Sequence, residues 1–542
     1  MEGICEELLI NKVAGSNYLE EWFSKPPKYT TLRINKLRGN LDINILKTFL
    51  HNQMQELNVT DIPKIYFKGS DCLVIEQWLS EEPKLTGREV IVDALCAAAV
   101  LRGAHVFAPG VMGLPCNIKL NDIADVYGDL KGKCKKGLKI PFEGSKMYVG
   151  IGYMKQTRKD LFDETAKPSG IAVHITMPSS RLPVINERLY PEGHVLLQNL
   201  PSIVCGWVMD VTPGERVLDM CAAPGNKTTH LAEMSSNQAS IIAIDKTNSK
   251  VEKIRHNCKL HGITCVKSYV FDSTKIFSGE SRQGIDKLPL SNKVKEIIDD
   301  PPFSENNKYV VDQPPFSKES FRIIHQPQSP EESKLVVDKL ILSKESVKVI
   351  QKPQVSEESV SNVDNPSFNT EYIQNKDKKK LPKGIVDKPF SEERILNTPP
   401  FPENSFDKIL LDAPCSGLGQ RPLLKCKMTP KMLESYKFVQ RKLMSNAVKL
   451  LKIGGKLVYS TCTITKEENE GMVAWALDKF SNLQLVPAEP LVGGPGAPNS
   501  GLTDEQRIMV QRFSPEKDPL REVEDIYRDT IGFFIASFTK TH

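Results

Sequence analysis

Four short apolar runs constrain this chain more than anything else in it. They are residues 216–220 (RVLDM), 241–245 (IIAID), 408–412 (KILLD) and 456–460 (KLVYS). Each is long enough for a strand buried on both faces, and the intervening stretches read as glycine-bearing turns and helices. Apolar strands alternating with helices predict a doubly wound, Rossmann-like α/β sheet from about residue 182 onward. In such a sheet ligands bind outside the carboxyl ends of the strands, at a switch point in strand order. The residues that close each run are therefore the first candidates for chemistry.

The first run leads into CAAPGNKTT at 221–229, which opens a predicted helix. Small residues let the backbone approach a ligand, and a helix N-terminus suits a carboxylate. The string is not G-x-G-x-x-G and lacks P-loop spacing, so it argues for neither a dinucleotide nor a triphosphate. Asp245 closes the next strand and could hold ribose hydroxyls. Asp272 closes a third, YVFD at 269–272, and could bond an adenine amino group. Any one of these acids is ordinarily a solvated surface residue, but Asp219, Asp245 and Asp272 at three successive strand ends favour a site.

Two cysteines share that position. Cys415 follows Asp412-Ala413-Pro414 after one strand, and Cys462 follows Ser460-Thr461 after another. A lone cysteine is usually inert packing. Two at strand ends, facing one crevice, point to chemistry. The other ten of the 12 cysteines are scattered, with no Cys-x-x-Cys pair and no zinc spacing, so no metal is expected. No secretory leader and no membrane span are apparent, and a reducing cytoplasmic setting with free thiols is expected. Net charge is only +5, so any nucleic-acid footprint must be local.

Upstream, residues 1–88 read as a small α+β unit, expected as the N-terminal part of an RNA-binding region, with a strand at 30–35 and a helix at 43–55. Residues 89–181 turn to short, glycine-divided strands suggesting a small β-barrel. The catalytic domain is expected in two parts, 182–278 and 401–542. Between them, 279–400 holds tandem copies with a 13-residue step, starting at Pro301, Pro314, Pro327, Leu340, Pro353 and Pro366. Each copy has too few large apolar residues to bury a core, so disorder or extended structure is expected.

Three strings in order, CAAPGNKTT at 221–229, LLDAPCSGLGQR at 410–421 and YSTCTITKEENE at 459–470, resemble the Sun-domain (NSUN-type) RNA cytosine-5 methyltransferases. The resemblance runs from about residue 182 to the end, apart from the repeats. It implies S-adenosyl-L-methionine as cofactor, Cys462 as nucleophile and Cys415 as the aid to product release. Cys221, Ala222, Ala223, Pro224, Gly225, Asn226, Lys227, Asp245, Asp272 and Asp412 match the family's cofactor positions, with Lys227 and Asp412 also in its active site. The chemistry is coherent: carbon 5 of cytosine is a poor nucleophile until a thiolate adds at carbon 6. Asp412 is suited to bond the cytosine amino group or protonated ring nitrogen. The family usually has Gly-Gly-Lys where this chain has Gly225-Asn226-Lys227, and asparagine tolerates left-handed geometry, so binding is expected to survive.

The strings LRGAHVFAPG at 101–110 and KGKCKKG at 131–137 resemble a PUA domain, an RNA-binding barrel. In that unit Lys131, Lys133, Lys135 and Lys136 are expected to meet phosphates; a bare lysine run would read as a solvated turn. A PUA unit before a Sun-type domain is similar to the tRNA-modifying branch of the family, which implies a cytosine near the 3′ CCA end of the acceptor stem. The competing expectation is a catalytically weak RNA-binding or repeat-mediated interaction protein, whose Pro- and Phe-bearing copies recruit protein partners.

Overall fold

The computed structural model describes residues 17–277 and 398–542, apart from 82, 164–166 and 427. The repeats expected over 279–400 lie outside the described residues, except for positions 398–400. No helix among the described residues is long and apolar enough to cross a membrane.

The chain opens with α1 (Asn17–Ser24), β1 (Tyr29–Ile34), α2 (Ile43–Glu56), β2 (Ile65–Lys68) and β3 (Cys72–Glu76). Asp42 starts α2 by accepting a hydrogen bond from the Asn44 amide. Leu46 and Leu50, one turn apart, pack with Leu32, Leu73 and Ile75 of the strands. Then come β4 (Glu89–Asp93), α3 (Ala94–Leu101), β5 (Val106–Phe107), β6 (Val111–Gly113), β7 (Ile123–Asp129), β8 (Lys146–Met154) and β9 (Ile171–Pro178). These six strands form one sheet, ordered β5-β9-β8-β7-β4-β6. All its pairs are antiparallel except β4 with β7. Helix α3 sits on it so closely that a Cβ at Gly128 would lie 2.4 Å from that of Ala97. The chain then returns: β10 (Val195–Leu197) pairs with β1, completing a four-stranded sheet ordered β10-β1-β3-β2.

The remainder builds the large sheet. Its elements are α4 (Leu200–Met209), β11 (Arg216–Asp219), α5 (Asn226–Met234), β12 (Ser240–Asp245), α6 (Asn248–His261) and β13 (Val266–Val270). Beyond the undescribed stretch follow β14 (Phe406–Asp412), α7 (Pro430–Leu450), β15 (Leu451–Thr461), α8 (Glu470–Lys479), β16 (Leu483–Val486), β17 (Gln511–Phe513) and β18 (Phe533–Lys540). Strand order is β13-β12-β11-β14-β15-β18-β16, with β17 beside β18. The first five strands are parallel, and β18 runs against its neighbours.

Alternation along the strands divides the core in two. Val217, Ile241, Ala243 and Leu410 face α4, α5 and α6, whereas Leu218, Ile242, Ile409 and Leu411 face α7 and α8. Helices cover both faces, which is the doubly wound, Rossmann-like arrangement that the apolar runs predict. Strand order reverses between β11 and β14, so the switch-point crevice opens beyond Asp219 and Asp412.

The undescribed stretch is attached on the far side. Phe277 bridges to Phe401, whose amide donates to the Ile276 carbonyl at 2.8 Å. Phe401 packs edge-on against Phe406, with ring centroids 5.1 Å apart. The Arg216 guanidinium lies over both rings. Arg216 and Phe406 begin their strands, so both attachment points lie at the amino edge of the sheet, opposite the crevice.

Candidate active site at the strand carboxyl ends

The turn after β11 is shaped by one glycine. Gly225 has φ +109° and caps α5, and a Cβ there would also crowd the Ile254 Cα at 3.2 Å. Asn226 is the first residue of α5, so the left-handed position expected of it belongs to Gly225 instead. Its side chain accepts from Asn257 Nδ2 at 3.3 Å, and the same amide group donates to the Pro224 carbonyl at 3.0 Å. The Ala222 amide bonds the Ile244 carbonyl, and the Ala223 amide bonds Asp245 Oδ2 at 3.1 Å. The turn 221–225 is thereby laid across the tip of β12.

Asp245 is buried, and its Oδ1 also takes the Lys246 amide at 2.7 Å and Lys250 Nζ at 3.1 Å. Asp272 lies past β13 and accepts from the Thr274 amide at 3.0 Å and hydroxyl at 2.8 Å. Partial burial pushes the Asp272 carboxyl up, but the Thr274 donors and Lys246 outweigh it and hold the group below its ordinary value.

At the tip of β14, Asp412 is clamped from two neighbouring elements. Lys227 of α5 donates to Oδ2 at 2.8 Å, and Ser460 of β15 donates to Oδ1 at 2.7 Å. Burial would lower the Lys227 ammonium, yet Asp412 reverses this and raises it, so the lysine stays charged. Its Nζ also stands 5.3 Å from the centroid of the Phe533 ring. Beneath this pair, Asp219 is buried and accepts from Thr228 Oγ1 at 2.7 Å. Burial pushes its carboxyl up to about 7, with the Asp412 charge adding to the rise.

Cys415 and Cys462 meet sulfur to sulfur at 3.4 Å. The hydrogen bond from Cys415 is the largest influence on Cys462, and it lowers that thiol against the effect of burial. Gln420 and Lys227 act in the same sense. Cys415 is pushed the other way, well above the ordinary value, by its bond to Cys462, by burial and by the charges of Cys462 and Glu468. The surroundings thus favour Cys462 over Cys415 as the sulfur that ionises.

Three residues that sequence reasoning did not single out hold the pair in place. Glu468 is fully buried and accepts from the Ser416 amide at 3.0 Å and hydroxyl at 2.5 Å, and from Thr465 Oγ1 at 2.9 Å. Gln440 of α7 donates both to Glu468 Oε1 at 3.0 Å and to the Pro414 carbonyl at 2.9 Å. Asn469 takes the Thr461 hydroxyl and donates to the Thr463 carbonyl, gripping Cys462 on both sides. Glu468 and Asn469 lie inside the string 459–470, but nothing in that string marks Glu468, rather than Glu467 or the equally buried Glu470, as the acid that bonds the Cys415 segment.

The lysines at 131, 133, 135 and 136 are exposed on the loop after β7, with Cys134 buried between them. That loop reaches the segment between Cys415 and α7: a Cβ at Gly132 would lie 3.2 Å from Lys425 Nζ. Leu424, next to it, packs into the core of the six-stranded sheet. Of the residues expected at the site, Cys221 through Lys227, Asp245, Asp272, Asp412, Cys415 and Cys462 gather at the strand ends. The lysine loop lies instead beside Lys425.

The chain is similar in sequence and fold to known proteins. The family model described as 16S rRNA methyltransferase RsmB/F matches residues 207–302 and 358–512. The chain is 34% identical over 534 residues to the human tRNA (cytosine(72)-C(5))-methyltransferase NSUN6, covering 95% of this chain and 89% of that protein. The mouse counterpart is 33% identical, with 95% and 88% covered. Among solved structures, NSun6 from Pyrococcus horikoshii, crystallised with SFG, superposes with a TM-score of 0.59 at 23% identity, covering 99% of this chain and 98% of that one.

Proposed function

The chain belongs to the NSUN6-type tRNA (cytosine(72)-C(5))-methyltransferase family, and on that premise we infer that it methylates carbon 5 of a tRNA cytosine with S-adenosyl-L-methionine. The observation that carries the chemistry is the pair of sulfurs at 3.4 Å, one lowered and one raised, beside the Lys227–Asp412 pair. The residues present fit the cofactor. Asp245 and Asp272 offer carboxylate lone pairs suited to ribose hydroxyls and an adenine amino group, and the turn 221–225 brings backbone close beside them. S-adenosyl-L-methionine supplies an electrophilic methyl group there.

The Cys462 thiolate adds to carbon 6 of the cytosine, and its electron pair passes through the ring to carbon 5. Asp412, fixed by Lys227 and Ser460, bonds the exocyclic amino group and orients the ring. Once the carbon–sulfur bond exists, Cys462 no longer accepts from Cys415 and no longer carries charge. Two of the influences that raise Cys415 then vanish. Cys415 releases its proton to solvent and becomes the base that takes the proton from carbon 5. The carbon–sulfur bond breaks as that proton leaves, and Cys462 departs as thiolate. The site returns to its starting state with one proton released per methyl transferred.

The target proposed is a cytosine near the 3′ CCA end of the acceptor stem, where unpaired nucleotides can leave the stack. The six-stranded sheet over 89–178 serves as the PUA-like RNA-binding unit. Its exposed Lys131, Lys133, Lys135 and Lys136, on a loop that meets Lys425 at Gly132, support that reading.

The test is bisulfite sequencing of tRNA treated with wild type, Cys462→Ala and Cys415→Ala. Wild type should protect one acceptor-end cytosine, Cys462→Ala none, and Cys415→Ala should leave RNA covalently bound to protein. Full methylation by Cys462→Ala would overturn the mechanism. Absence of methylation by wild type would favour the interaction-protein alternative.

A further inference from the structure

Strand β1 does more than carry the first sheet. Arg33, only 1% exposed, sends its guanidinium out of that sheet into helix α5. Nη1 donates to Gln198 Oε1 at 2.5 Å and to the Asn226 carbonyl. Nη2 donates to Thr229 Oγ1 and Glu233 Oε1, both at 2.8 Å. Thr229 Oγ1 in turn donates to the Asn226 carbonyl at 3.1 Å, closing a ring of bonds around that oxygen. Residues just past the strand dock on the end of α6 and on the loop before β10. Asn35 Nδ2 donates to the carbonyls of Gly193 and His261 at 2.8 Å each, and Arg38 Nη2 to that of Leu260 at 3.1 Å.

The Asn226 carbonyl is one peptide away from Lys227, whose ammonium reaches Asp412, and one residue after the Gly225 turn. We propose that Arg33 is a positioning residue for the cofactor turn, holding the first turn of α5 so that residues 221–227 keep their geometry. This rests on the methyltransferase reading above. A guanidinium suits the task because its forked donors address a carbonyl, a hydroxyl and a carboxylate at once, which one ammonium does not do. The groups facing it are Glu233, His261, Gln198 and Thr229. Burial keeps His261 neutral, at about 4, with Arg33 lowering it further; Glu233 pairs directly with the guanidinium, and the Arg33 charge also helps to hold the Asp71 carboxyl low. Strand β1 belongs to the four-stranded sheet ordered β10-β1-β3-β2, so that sheet and the cofactor turn are joined directly through Arg33.

The experiment is calorimetric titration of the full chain with S-adenosylhomocysteine, alongside tRNA binding and thermal unfolding. Arg33→Lys keeps the buried charge but not the fork. It should weaken S-adenosylhomocysteine binding about tenfold while leaving tRNA affinity within about twofold. Thr229→Val removes one arm of the ring at nearly constant volume, and keeps the question answerable if Arg33→Lys does not fold. It should weaken the same ligand severalfold. Wild-type affinity in either folded variant overturns the proposal. So does an equal loss of cofactor and tRNA binding that tracks the fall in unfolding temperature. If wild type itself does not bind S-adenosylhomocysteine, the methyltransferase reading fails, and Arg33 is not the cause.

Discussion

Cys415 and Cys462 lie 3.4 Å apart, sulfur to sulfur, and which of them loses its proton more readily decides which of them reacts. The bond from Cys415 is worth more to Cys462 than burial costs it, so Cys462 ionises below the usual thiol range. Removing the donor should reverse this. In Cys415→Ala, the pH at which Cys462 alkylation by iodoacetamide reaches half its maximal rate should move upward, as followed by peptide mass spectrometry. An unchanged profile would assign the activation to Gln420 and Lys227 alone. Asp219 offers a second test, on stability. Its carboxyl rises from 3.8 to about 7 in the fold, so between these values the folded state holds a proton that the unfolded chain releases. Stability contributed by this group is therefore present at low pH and lost as pH rises from about 4 to about 7. The difference is on the order of 4 kcal/mol as an upper bound. Asp219→Asn should remove that slope from the pH dependence of urea unfolding, and a slope identical to wild type would show that Asp219 ionises normally.

The strands were the most legible elements because their signal is one of period and length. The runs 216–220, 241–245, 408–412 and 456–460 all form neighbouring parallel strands. The thiols were legible for the same reason, since a strand end in such a sheet has a known exposure. What holds the thiols was not legible. Glu468, Gln440 and Asn469 act through contacts between α7, the α8 approach and the segment after Cys415, and no local pattern marks a polar residue as buried. Asn226 shows the converse. Its residue type suggested a left-handed position, whereas the helix cap had already placed that demand on Gly225. Glycine also limits the segment after Cys415. Gly419 donates to the Cys462 carbonyl at 3.0 Å, and its added Cβ would fall 2.0 Å from the Gly532 carbonyl oxygen. That neighbour is backbone and yields little. Gly419→Ala should cost about 2 kcal/mol or more in stability and lower turnover at least tenfold. Unfolding and single-turnover methylation measured together would check it, and a folded variant with wild-type turnover would refute the close fit.

At the scale of the whole molecule, the catalytic crevice is walled by parts distant in sequence. Arg421, six residues past Cys415, bonds the Trp22 carbonyl of α1 at 2.7 Å and Asp529 at 2.8 Å, while Leu424 enters the core of the six-stranded sheet. The three-residue strand β10 turns back to the first sheet, a run too short to leave any periodic trace in the sequence. Against this interlocking stands the stretch between Phe277 and Phe401. Its two attachment points are joined by a β-bridge at the amino edge of the sheet, and the reacting groups lie at the opposite edge. Joining residue 290 to 397 should therefore leave the crevice intact. Loop closure costs less for a shorter segment, so the deletion should stabilise the fold by up to about 2 kcal/mol. Turnover on tRNA should stay within about threefold of wild type, because no group assigned to the chemistry is removed. A complete loss of methylation in a folded deletion variant would instead bring the repeats to the RNA side. An unchanged turnover with altered capture of protein partners would leave the catalytic core and the repeats as separable functions of one chain.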